Sequence, residues 1–324
     1  MLHVKGNKIF DNAGNLVRLT GVNRAGLEWD AKDERIVKCV QQACDDWNCN
    51  IVRIPVSQDR WFGFAKEQQK DDMTGEKYRR TVDKIVEALF ERKKYMILDL
   101  HWNNMNVWGK NDGQHFMPDM NSLVFWKDAA TRYKNHPAVL FGLYNEAHSV
   151  SWDVWKNGGN VKEKGKTYFS PGHQKIVDVI RGIGAQNILI VGGLDWAFDL
   201  EELCKGYELN DNGGNGIIYD SHVYPWKPLD WDTYVQEAAA KYPILIGEFG
   251  HYGDDAEPDE GEQALPSDEW MKRILDWIDK NQFHFTAWCF HPRCGPDLIK
   301  NWKNEPTEFS GIYVKEYLLK GSNK

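Results

Sequence analysis

The sequence predicts an α/β protein built as a (β/α)8 barrel, and three features of the chain point to this fold class. Eight short runs rich in apolar and β-branched residues recur along the 324 residues, as strands buried on both faces do. Segments with helical periodicity separate these runs, and no linker or change of composition divides the chain. We therefore expect one domain, residues 1–324, that opens with a short hairpin; a doubly wound open sheet is the weaker alternative.

The predicted elements follow one another in a regular order. The opening stretch GNKIFDNAGNLV places turn-forming Asn and Gly between apolar residues, which is typical of a hairpin. Strands are predicted at residues 16–23, 50–56, 95–102, 138–146, 187–193, 216–224, 243–250 and 285–292. Amphipathic helices are predicted at residues 33–46, 77–93, 122–134, 171–185, 231–241 and 267–281. The last begins with Ser267 and two acids, a typical cap at a helix N-terminus.

Charge and hydropathy restrict the partners of the chain. Its net charge of -8 repels phosphate, and no basic stripe with interleaved aromatic residues occurs, so we expect no nucleic-acid partner. No apolar run approaches the roughly 20 residues that a membrane span requires. The first residues, MLHVKGNKIF, do not form a signal peptide. We expect a soluble monomer without membrane contact.

The aromatic content indicates a class of ligand. The chain has 15 Trp, 13 Tyr and 14 Phe, more than a core of this size uses. Many of these rings should therefore keep exposed faces. Flat aromatic faces suit ligands with apolar C–H faces and polar rims, and sugars are the obvious class.

Cysteine spacing argues against a metal centre. The six Cys, at positions 39, 44, 49, 204, 289 and 294, contain no C-x-x-C pair. Cys289 and Cys294 are close enough in sequence to bridge a loop, but the sequence leaves the pairing open. We expect neither a metal nor an organic cofactor.

Polar residues gather where the predicted strands end. Barrels place their chemistry at the carboxyl ends of the strands, so these residues should meet at one mouth. Most of the eight ends carry a ring, an amide or a charge, which a purely structural barrel does not require. The residues are Asn23, Arg53, His101, Trp102, Asn145, Glu146, His222, Tyr224, Glu248 and Trp288.

The residue types at this mouth favour one reaction class. The chain lacks a G-x-S-x-G elbow and a Gly-rich phosphate loop, and DSHVYP offers one His where a metal-dependent barrel hydrolase needs His-x-His. Two carboxylates remain, Glu146 and Glu248. Glycoside hydrolysis requires such a pair, and the distance between the carboxyl groups decides between retention and inversion.

Six ordered motifs carry a resemblance to a known family. NIVRIPV, LDLHW, LYNEAH, SHVYPW, IGEFG and TAWCF resemble the glycoside hydrolase family 5 cellulases, which are retaining enzymes with catalytic glutamates on strands four and seven. The family usually has Asn-Glu-Pro where this chain has Asn145, Glu146 and Ala147. The resemblance implies an endo-β-1,4-glucanase that acts on a β-linked polysaccharide such as cellulose. Secretion follows from that substrate class.

The resemblance also implies roles for the catalytic pair. Glu146 corresponds to the acid/base and Glu248 to the nucleophile. Arg53 and Tyr224 are expected to contact Glu248, with Arg53 supplying an opposite charge. His222 is placed to share a proton with Glu146, whose pKa is expected to lie above that of Glu248.

The remaining positions correspond to sugar-binding residues. Asn145 is expected to bind the 2-hydroxyl of the sugar, His101 to bind hydroxyls of the same subsite, and Trp288 to form its aromatic floor. Further Trp residues lie at strand ends or on the loops that follow them, and some should form additional platforms. The candidates are Trp29, Trp102, Trp108 and Trp226.

Three alternatives stay open from the sequence. A β-mannanase, a xyloglucanase or another β-glycanase would use the same catalytic residues. A non-catalytic carbohydrate-binding barrel is disfavoured, because two facing carboxylates repel each other and serve no purpose in a pure binder. A metal-dependent hydrolase would lose activity in excess chelator.

Overall fold

The computed structural model describes residues 1–32, 34–70, 73–110, 113–254 and 265–320, and its centre is a closed barrel of eight parallel strands. An antiparallel hairpin, β1 (His3–Lys5) with β2 (Lys8–Phe10), precedes the barrel. The barrel strands are β3 (Thr20–Asn23), β4 (Ile51–Ser57), β5 (Tyr95–Trp102), β6 (Val139–Gly142), β9 (Leu189–Gly192), β10 (Ile217–Val223), β11 (Ile244–Phe249) and β12 (His284–Ala287). This arrangement confirms the predicted (β/α)8 barrel and its hairpin.

Helices connect the successive strands, except that the connection from β9 to β10, which the structure describes in full, holds only a short 3₁₀ helix, Leu203–Lys205. The helices are α1 (Ile36–Trp47), α2 (Gln58–Phe62), α3 (Lys66–Lys70), α4 (Gly75–Glu91), α5 (Met120–Arg132), α6 (Trp152–Asn157), α7 (Gly172–Gly182), α8 (Trp231–Lys241), α9 (Ser267–Asn281) and α10 (Gly311–Lys320). A further antiparallel hairpin, β7 (Gly159–Glu163) with β8 (Lys166–Ser170), lies between α6 and α7. None of the helices described is long and apolar enough to cross a lipid bilayer.

The interior of the barrel changes from apolar to polar along the strands. Ile51, Ile97 and Ile218 are fully buried in the cluster that fills the lower barrel. Side chains two positions apart share a face of a strand, so the next inward residues are Arg53, Asp99 and Asp220. The alternation that buries the apolar layer therefore also places a charged layer directly above it.

The predicted helices agree with the structure apart from details at their ends. The first was predicted from Asp33, which lies outside the described residues, and α1 begins at Ile36. Ser267 does not cap α9 as expected; it is the first helical residue, and the preceding Pro266 makes no side-chain cap. Asp268 and Glu269 do lie in the first turn, where the helix dipole favours acids.

The sequence analysis missed the β7–β8 hairpin and the short helices α2, α3 and α6, as well as α10. The hairpin has a two-residue turn, in which Lys164 has φ 46° and Gly165 has φ 75°. Two residues with positive φ form the turn that matches strand twist, and Gly at the second position favours it. The Lys-Gly pair between alternating residues was therefore a usable signal.

The six cysteines are free thiols. Cys39, Cys44 and Cys49 are buried around α1, and burial raises the pKa of Cys44 to about 12. Cys289 and Cys294, whose spacing would permit a bridge across a loop, are unpaired neighbours above the barrel.

Candidate active site

The strand ends bring Glu146 and Glu248 to one place. Glu248 is a β11 residue and Glu146 follows β6, with β9 and β10 between them in the barrel. A carboxylate oxygen of each and a ring nitrogen of His222 all lie within 4.8 Å of one another. Glu248 is only 4% exposed, so the acids form a compact, largely dehydrated pair that requires charged partners.

Arg53 is the cationic centre of the site. Its Nη1 donates to Oε1 of Glu248 at 2.7 Å, and its Nη2 donates to Oδ1 of Asn145 at 2.7 Å. Nη2 also lies 3.0 Å from Oδ2 of Asp99. Burial lowers the pKa of Arg53, but the charges of Asp99 and Glu248 outweigh this effect and raise it. The guanidinium therefore stays charged and fixes three side chains at once.

Tyr224 completes the contacts of Glu248. Its hydroxyl donates to Oε2 at 2.8 Å, so each carboxylate oxygen of Glu248 accepts one strong hydrogen bond. Burial, and then the charge of Glu248, raises the pKa of Tyr224 well above its usual value. The phenol is therefore a permanent donor at neutral pH.

His222 links the two acids. Its Nδ1 lies 3.0 Å from Oε1 of Glu146 and 3.7 Å from Oε2 of Glu248, and its Nε2 lies 3.2 Å from Oδ2 of Asp220. Burial lowers the pKa of His222, but the carboxylates of Glu248 and Asp220 raise it to about 10. The ring is an imidazolium at neutral pH and donates from both nitrogens.

The charge of His222 decides the protonation of Glu146. Burial raises the pKa of the Glu146 carboxyl, but the hydrogen bond and charge of His222 outweigh it and bring the pKa below its usual value. In the free protein the proton shared by the pair therefore lies on His222. The sequence analysis expected the pKa of Glu146 to lie above that of Glu248, which stays a prediction; it did not anticipate that His222 would hold the shared proton.

His101 and Trp288 form a second part of the mouth. The His101 ring stacks on the Trp288 ring with centroids 5.7 Å apart at 13°. Nδ1 of His101 lies 2.8 Å from Oδ2 of Asp99. Burial lowers the pKa of His101, whereas the hydrogen bond to Asp99 raises it above its usual value. Asp99 thus orients the ring and leaves Nε2 facing Asn145 at 3.4 Å.

Comparison with known sequences identifies the family. The sequence profile described as "Cellulase (glycosyl hydrolase family 5)" matches residues 10–293, most of the chain. The chain belongs to glycosyl hydrolase family 5.

Relatives of this family 5 hydrolase have low identity but match along most of the chain. An endoglucanase from Paenibacillus polymyxa is 24% identical, and the match covers 93% of this chain and 83% of that protein. Endoglucanase A from Butyrivibrio fibrisolvens is also 24% identical, over 84% of this chain, and the match spans only 57% of that longer protein.

Solved structures share the barrel. A β-glucanase from Saccharophagus degradans, crystallised in complex with cellotetraose, superposes with a TM-score of 0.77 at 22% identity over 99% of this chain and 93% of that chain. The catalytic domain of endoglucanase Cel5A from Thermobifida fusca gives 0.71 at 18% identity over 98% of this chain and 97% of that chain. At these identities the likeness establishes the fold.

Among the candidate sugar platforms of the family 5 hydrolase, Trp226 is the most exposed, at 40%. It stacks on Tyr224 with ring centroids 4.6 Å apart at 4°. Tyr224 in turn bonds Glu248, so Trp226 presents a fixed flat face directly beside the acid pair.

The other three candidates are more enclosed. Trp29 packs edge-on against His291, with centroids 5.6 Å apart. The guanidinium of Arg60 lies 5.8 Å from the Trp102 ring. Trp108 belongs to a surface cluster with Phe62 and Phe64, at 5.4 Å and 5.1 Å. Each keeps some exposed surface.

Trp196 is a further exposed ring on a loop after a strand end. It is 43% exposed and stacks on His148 with centroids 4.2 Å apart at 14°. Nδ1 of His148 bonds the main-chain oxygen of Glu146 at 2.8 Å. Trp196 and both its neighbours have φ between 55° and 61°, a backbone conformation whose strain concentrates at functional sites.

Two buried acids at the site were also missed. Asp99 and Asp220 each precede a site histidine by two residues, in D-L-H and D-S-H, and each bonds that histidine. Residues two apart on a strand share a face. The repeated Asp-x-His pattern was therefore a signal that could have found both.

Ala147 replaces the proline typical of the family without loosening the loop. It is fully buried, and its carbonyl accepts a hydrogen bond from the Trp196 amide at 3.2 Å. The next residue, His148, donates its amide to the carbonyl of Phe116 at 3.0 Å. These long-range main-chain bonds fix the backbone after Glu146.

Proposed function

We propose that the protein is a retaining endo-β-1,4-glucanase in which Glu248 is the nucleophile and Glu146 the acid/base. The observation that carries this proposal is the pair of carboxylates with oxygens within 4.8 Å. Retaining glycosidases separate their carboxyl groups by about 5 to 5.5 Å, whereas inverting enzymes leave about 6.5 to 9.5 Å for a water molecule. Family membership and the endoglucanase names of its relatives support the substrate class.

The first half-reaction forms a glycosyl ester. A Glu248 oxygen attacks the anomeric carbon while the bond to the leaving oxygen breaks and Glu146 protonates that oxygen. Arg53 and Tyr224 hold the two Glu248 oxygens at 2.7 Å and 2.8 Å, which directs the attack. Water then enters, Glu146 removes its proton, and the ester is hydrolysed with net retention.

His222 supplies the proton that Glu146 transfers. The Glu248 carboxylate is the largest of the influences that raise the pKa of His222. Ester formation removes this negative charge, so the proton of His222 moves along the 3.0 Å hydrogen bond to Glu146 as the leaving group departs. In the second half-reaction the Glu248 charge returns and the proton taken from water returns to His222.

The sugar at the cleavage point binds to the neighbouring residues. Asn145 donates to its 2-hydroxyl, a contact that strengthens in the transition state. His101 bonds adjacent hydroxyls, and Trp288 stacks beneath the ring. A β-mannanase or xyloglucanase would use the same residues, so a panel of soluble β-glucan, mannan, xyloglucan and xylan decides the substrate.

Substitution of the two acids tests the mechanism. We expect Glu146→Ala and Glu248→Ala to lower kcat on the preferred polysaccharide by about 10²- to 10⁴-fold, because each removes one step of the double displacement. Azide should partly restore Glu248→Ala by attacking the anomeric carbon in place of the carboxylate. Initial rates of reducing-sugar release provide the measurement.

The controls separate the rival functions. Glu201→Ala, at an exposed acid, should retain the parental rate. Wild-type rates in either catalytic variant would contradict the assignment, and binding without turnover would favour a carbohydrate-binding barrel. Loss of activity in excess chelator would indicate a metal-dependent hydrolase. We further propose that residues 1–324 act as one catalytic domain, as a monomer, on extracellular polysaccharide.

A further inference from the structure

Gln114 contacts both residues of the Asn-Glu pair. It lies in the loop between β5 and α5, and its Oε1 accepts a hydrogen bond from Nδ2 of Asn145 at 2.8 Å. Its Nε2 donates to the main-chain oxygen of Glu146 at 3.0 Å and approaches Oε2 of the Glu146 carboxylate at 3.3 Å. His222 bonds the other carboxylate oxygen, Oε1. Glu146 is therefore held from two sides, by the β5–α5 loop and by strand β10.

The polarity of these bonds is fixed at both ends. Arg53 can only donate, so the atom of Asn145 that faces it is the carbonyl oxygen Oδ1. The main-chain oxygen of Glu146 can only accept, so the atom of Gln114 that faces it is the amide nitrogen. Between them Asn145 must donate to Gln114. The chain from Arg53 through Asn145 and Gln114 to Glu146 has one possible direction.

This direction determines which N–H of Asn145 is available to bind the substrate. One N–H of the Asn145 amide bonds Gln114. The same nitrogen, Nδ2, lies 3.4 Å from Nε2 of His101, which is too long for a strong bond of its second N–H. That second N–H remains for the 2-hydroxyl of a sugar. Without Gln114 the Asn145 amide would keep only its bond to Arg53 and could rotate away.

The β7–β8 hairpin holds the loop that carries Gln114. Glu163, at the end of β7 and only 2% exposed, accepts from Nδ1 of His115 at 3.0 Å and from the amide of Phe116 at 3.1 Å. The Tyr168 hydroxyl from β8 bonds both main-chain groups of Met117 at 2.9 Å and 3.0 Å. The residues directly after Gln114 are thus fixed to the hairpin, and also to the segment after β6, where the Tyr144 hydroxyl bonds both main-chain groups of His115 at 3.1 Å and 2.6 Å.

We propose that Gln114 is a positioning residue for catalysis, which sets the orientation of Asn145 and Glu146, and that the β7–β8 hairpin keeps it in place through Glu163. The inference rests on the proposed acid/base role of Glu146. It assigns a catalytic purpose to a hairpin that lies outside the barrel. Gln114 acts through its two neighbours.

The electrostatic surroundings of Glu146 determine what removal of Gln114 would do. The hydrogen bond from Gln114 favours the ionised carboxylate and lowers the pKa of Glu146, after the larger effects of burial, His222 and His101. The other ionisable groups at this site are Arg53, Asp99, His148, Asp220, Tyr224 and Glu248. Loss of the Gln114 donor leaves all of these in place and raises the pKa of Glu146.

The first test is Gln114→Met, which keeps the length of the side chain and removes its hydrogen bonds to Asn145 and Glu146. We expect kcat on the polysaccharide to fall about tenfold, since an oriented donor and an oriented amide are lost. The alkaline limb of the kcat/KM profile, which requires the proton of the Glu146–His222 pair, should move to higher pH by about half a unit. Gln174→Met on the outer surface of α7 is the matched control and should change neither.

The leaving group provides a second readout. Dinitrophenolate departs without protonation, so the defect of Gln114→Met should be several-fold smaller on a dinitrophenyl β-cellobioside than on the polysaccharide. Gln114→Glu keeps the acceptor for Asn145 but adds a negative charge beside Glu146. This variant should shift the alkaline limb further than Gln114→Met, because a like charge raises the pKa of a carboxyl.

The hairpin is tested by Glu163→Gln, alone and combined with Gln114→Met. If Glu163 acts through Gln114, the single change lowers kcat and the double variant is no worse than Gln114→Met, so the effects on kcat are not additive. Independent structural damage would instead multiply the two defects. Circular dichroism and urea unfolding report whether each variant is folded.

Three results would overturn the inference. A wild-type pH profile and kcat in folded Gln114→Met would exclude positioning, and a lower KM with undiminished kcat would show that Gln114 competes with the sugar. If the two losses of kcat multiply in the double variant, the hairpin does not act through Gln114. Failure of the proposed function itself is distinguishable, because Glu146→Gln would then retain the parental rate on the polysaccharide whatever Gln114 does.

Discussion

Single residues at the mouth act through several contacts at once, and Arg53 is the clearest case. It is only 2% exposed and bonds Glu248, Asn145 and Asn23, with Asp99 beside it. Such a cation neutralises an acidic site that would otherwise be unstable. Its planar guanidinium donates hydrogen bonds to several acceptors in one orientation, which a lysine ammonium cannot do.

Arg53→Lys tests whether the site requires the planar guanidinium group. We expect kcat/KM to fall by about 10²-fold or more, because Glu248 and Asn145 lose directed donors. We also expect the free energy of unfolding to fall by about 3 kcal/mol, since buried acids are left incompletely paired. Steady-state kinetics and urea unfolding measure both effects. The control is Arg80→Lys on the exposed face of α4, which should stay within about 0.5 kcal/mol of the parent.

At the scale of elements, the loop between β5 and α5 is shaped by the cap of the helix that follows it. Asp119 accepts the amide of Ser122 at 2.9 Å in a capping box for α5. Its other oxygen accepts the amides of Asn104 and Asn106 at 3.2 Å and 2.8 Å. One buried carboxylate therefore ends the active-site loop and starts the helix.

Asp119→Ala should consequently cost more than the loss of an ordinary cap. Caps contribute about 1 kcal/mol, and here two loop amides also lose their acceptor, so we expect a loss of about 3 kcal/mol in the free energy of unfolding. The loop carries Gln114, so kcat should fall as well. Ser151→Ala at the exposed N-cap of α6 is the comparison and should cost about 1 kcal/mol. Equal losses in the free energy of unfolding in the two variants would show that Asp119 stabilises the protein only as an ordinary helix cap.

For the whole molecule, acid stability depends on histidines that are buried in their neutral form. Burial lowers the pKa of His173 to about 4 and that of His284 to about 3. Nδ1 of His284 accepts the amide of Leu19 at 3.0 Å and is therefore unprotonated. The unfolded chain protonates both rings near pH 6.5. The contribution of these two neutral rings to the free energy of unfolding is therefore fully present above about pH 6.5. It is lost as the pH falls toward their pKa values in the folded protein.

This linkage predicts the pH dependence of unfolding. Each ring should lower the free energy of unfolding by about 1.4 kcal/mol per pH unit between pH 6 and 4. Urea unfolding at several pH values should show a shallower dependence in His173→Gln than in the parent, even if that variant is less stable at pH 7. Gln174→Met, which removes no ionisable group from α7, is the control and should leave the slope unchanged. An unchanged slope in His173→Gln would contradict the assignment.

The barrel and the main site residues could be predicted because both follow from local pattern. Apolar runs of strand length fixed the eight strands, and the parallel barrel made their carboxyl ends converge, so the predicted site residues from Arg53 to Trp288 meet at one mouth. Asp99 and Asp220 obey the same two-residue period and could have been included.

Only the tertiary structure decided the contacts between loops and the protonation of the acids. Gln114 reaches Glu146 across 32 residues, and Glu163 fixes the loop of Gln114 from a hairpin 48 residues beyond His115. No period in the sequence encodes such pairings, because loops lack a repeating geometry. The pKa of Glu146 depends on the burial and charge of His222, 76 residues away. The strand pattern in the sequence determined which strand-end residues meet; the packing of loops around them determined how they are oriented and which one holds the proton.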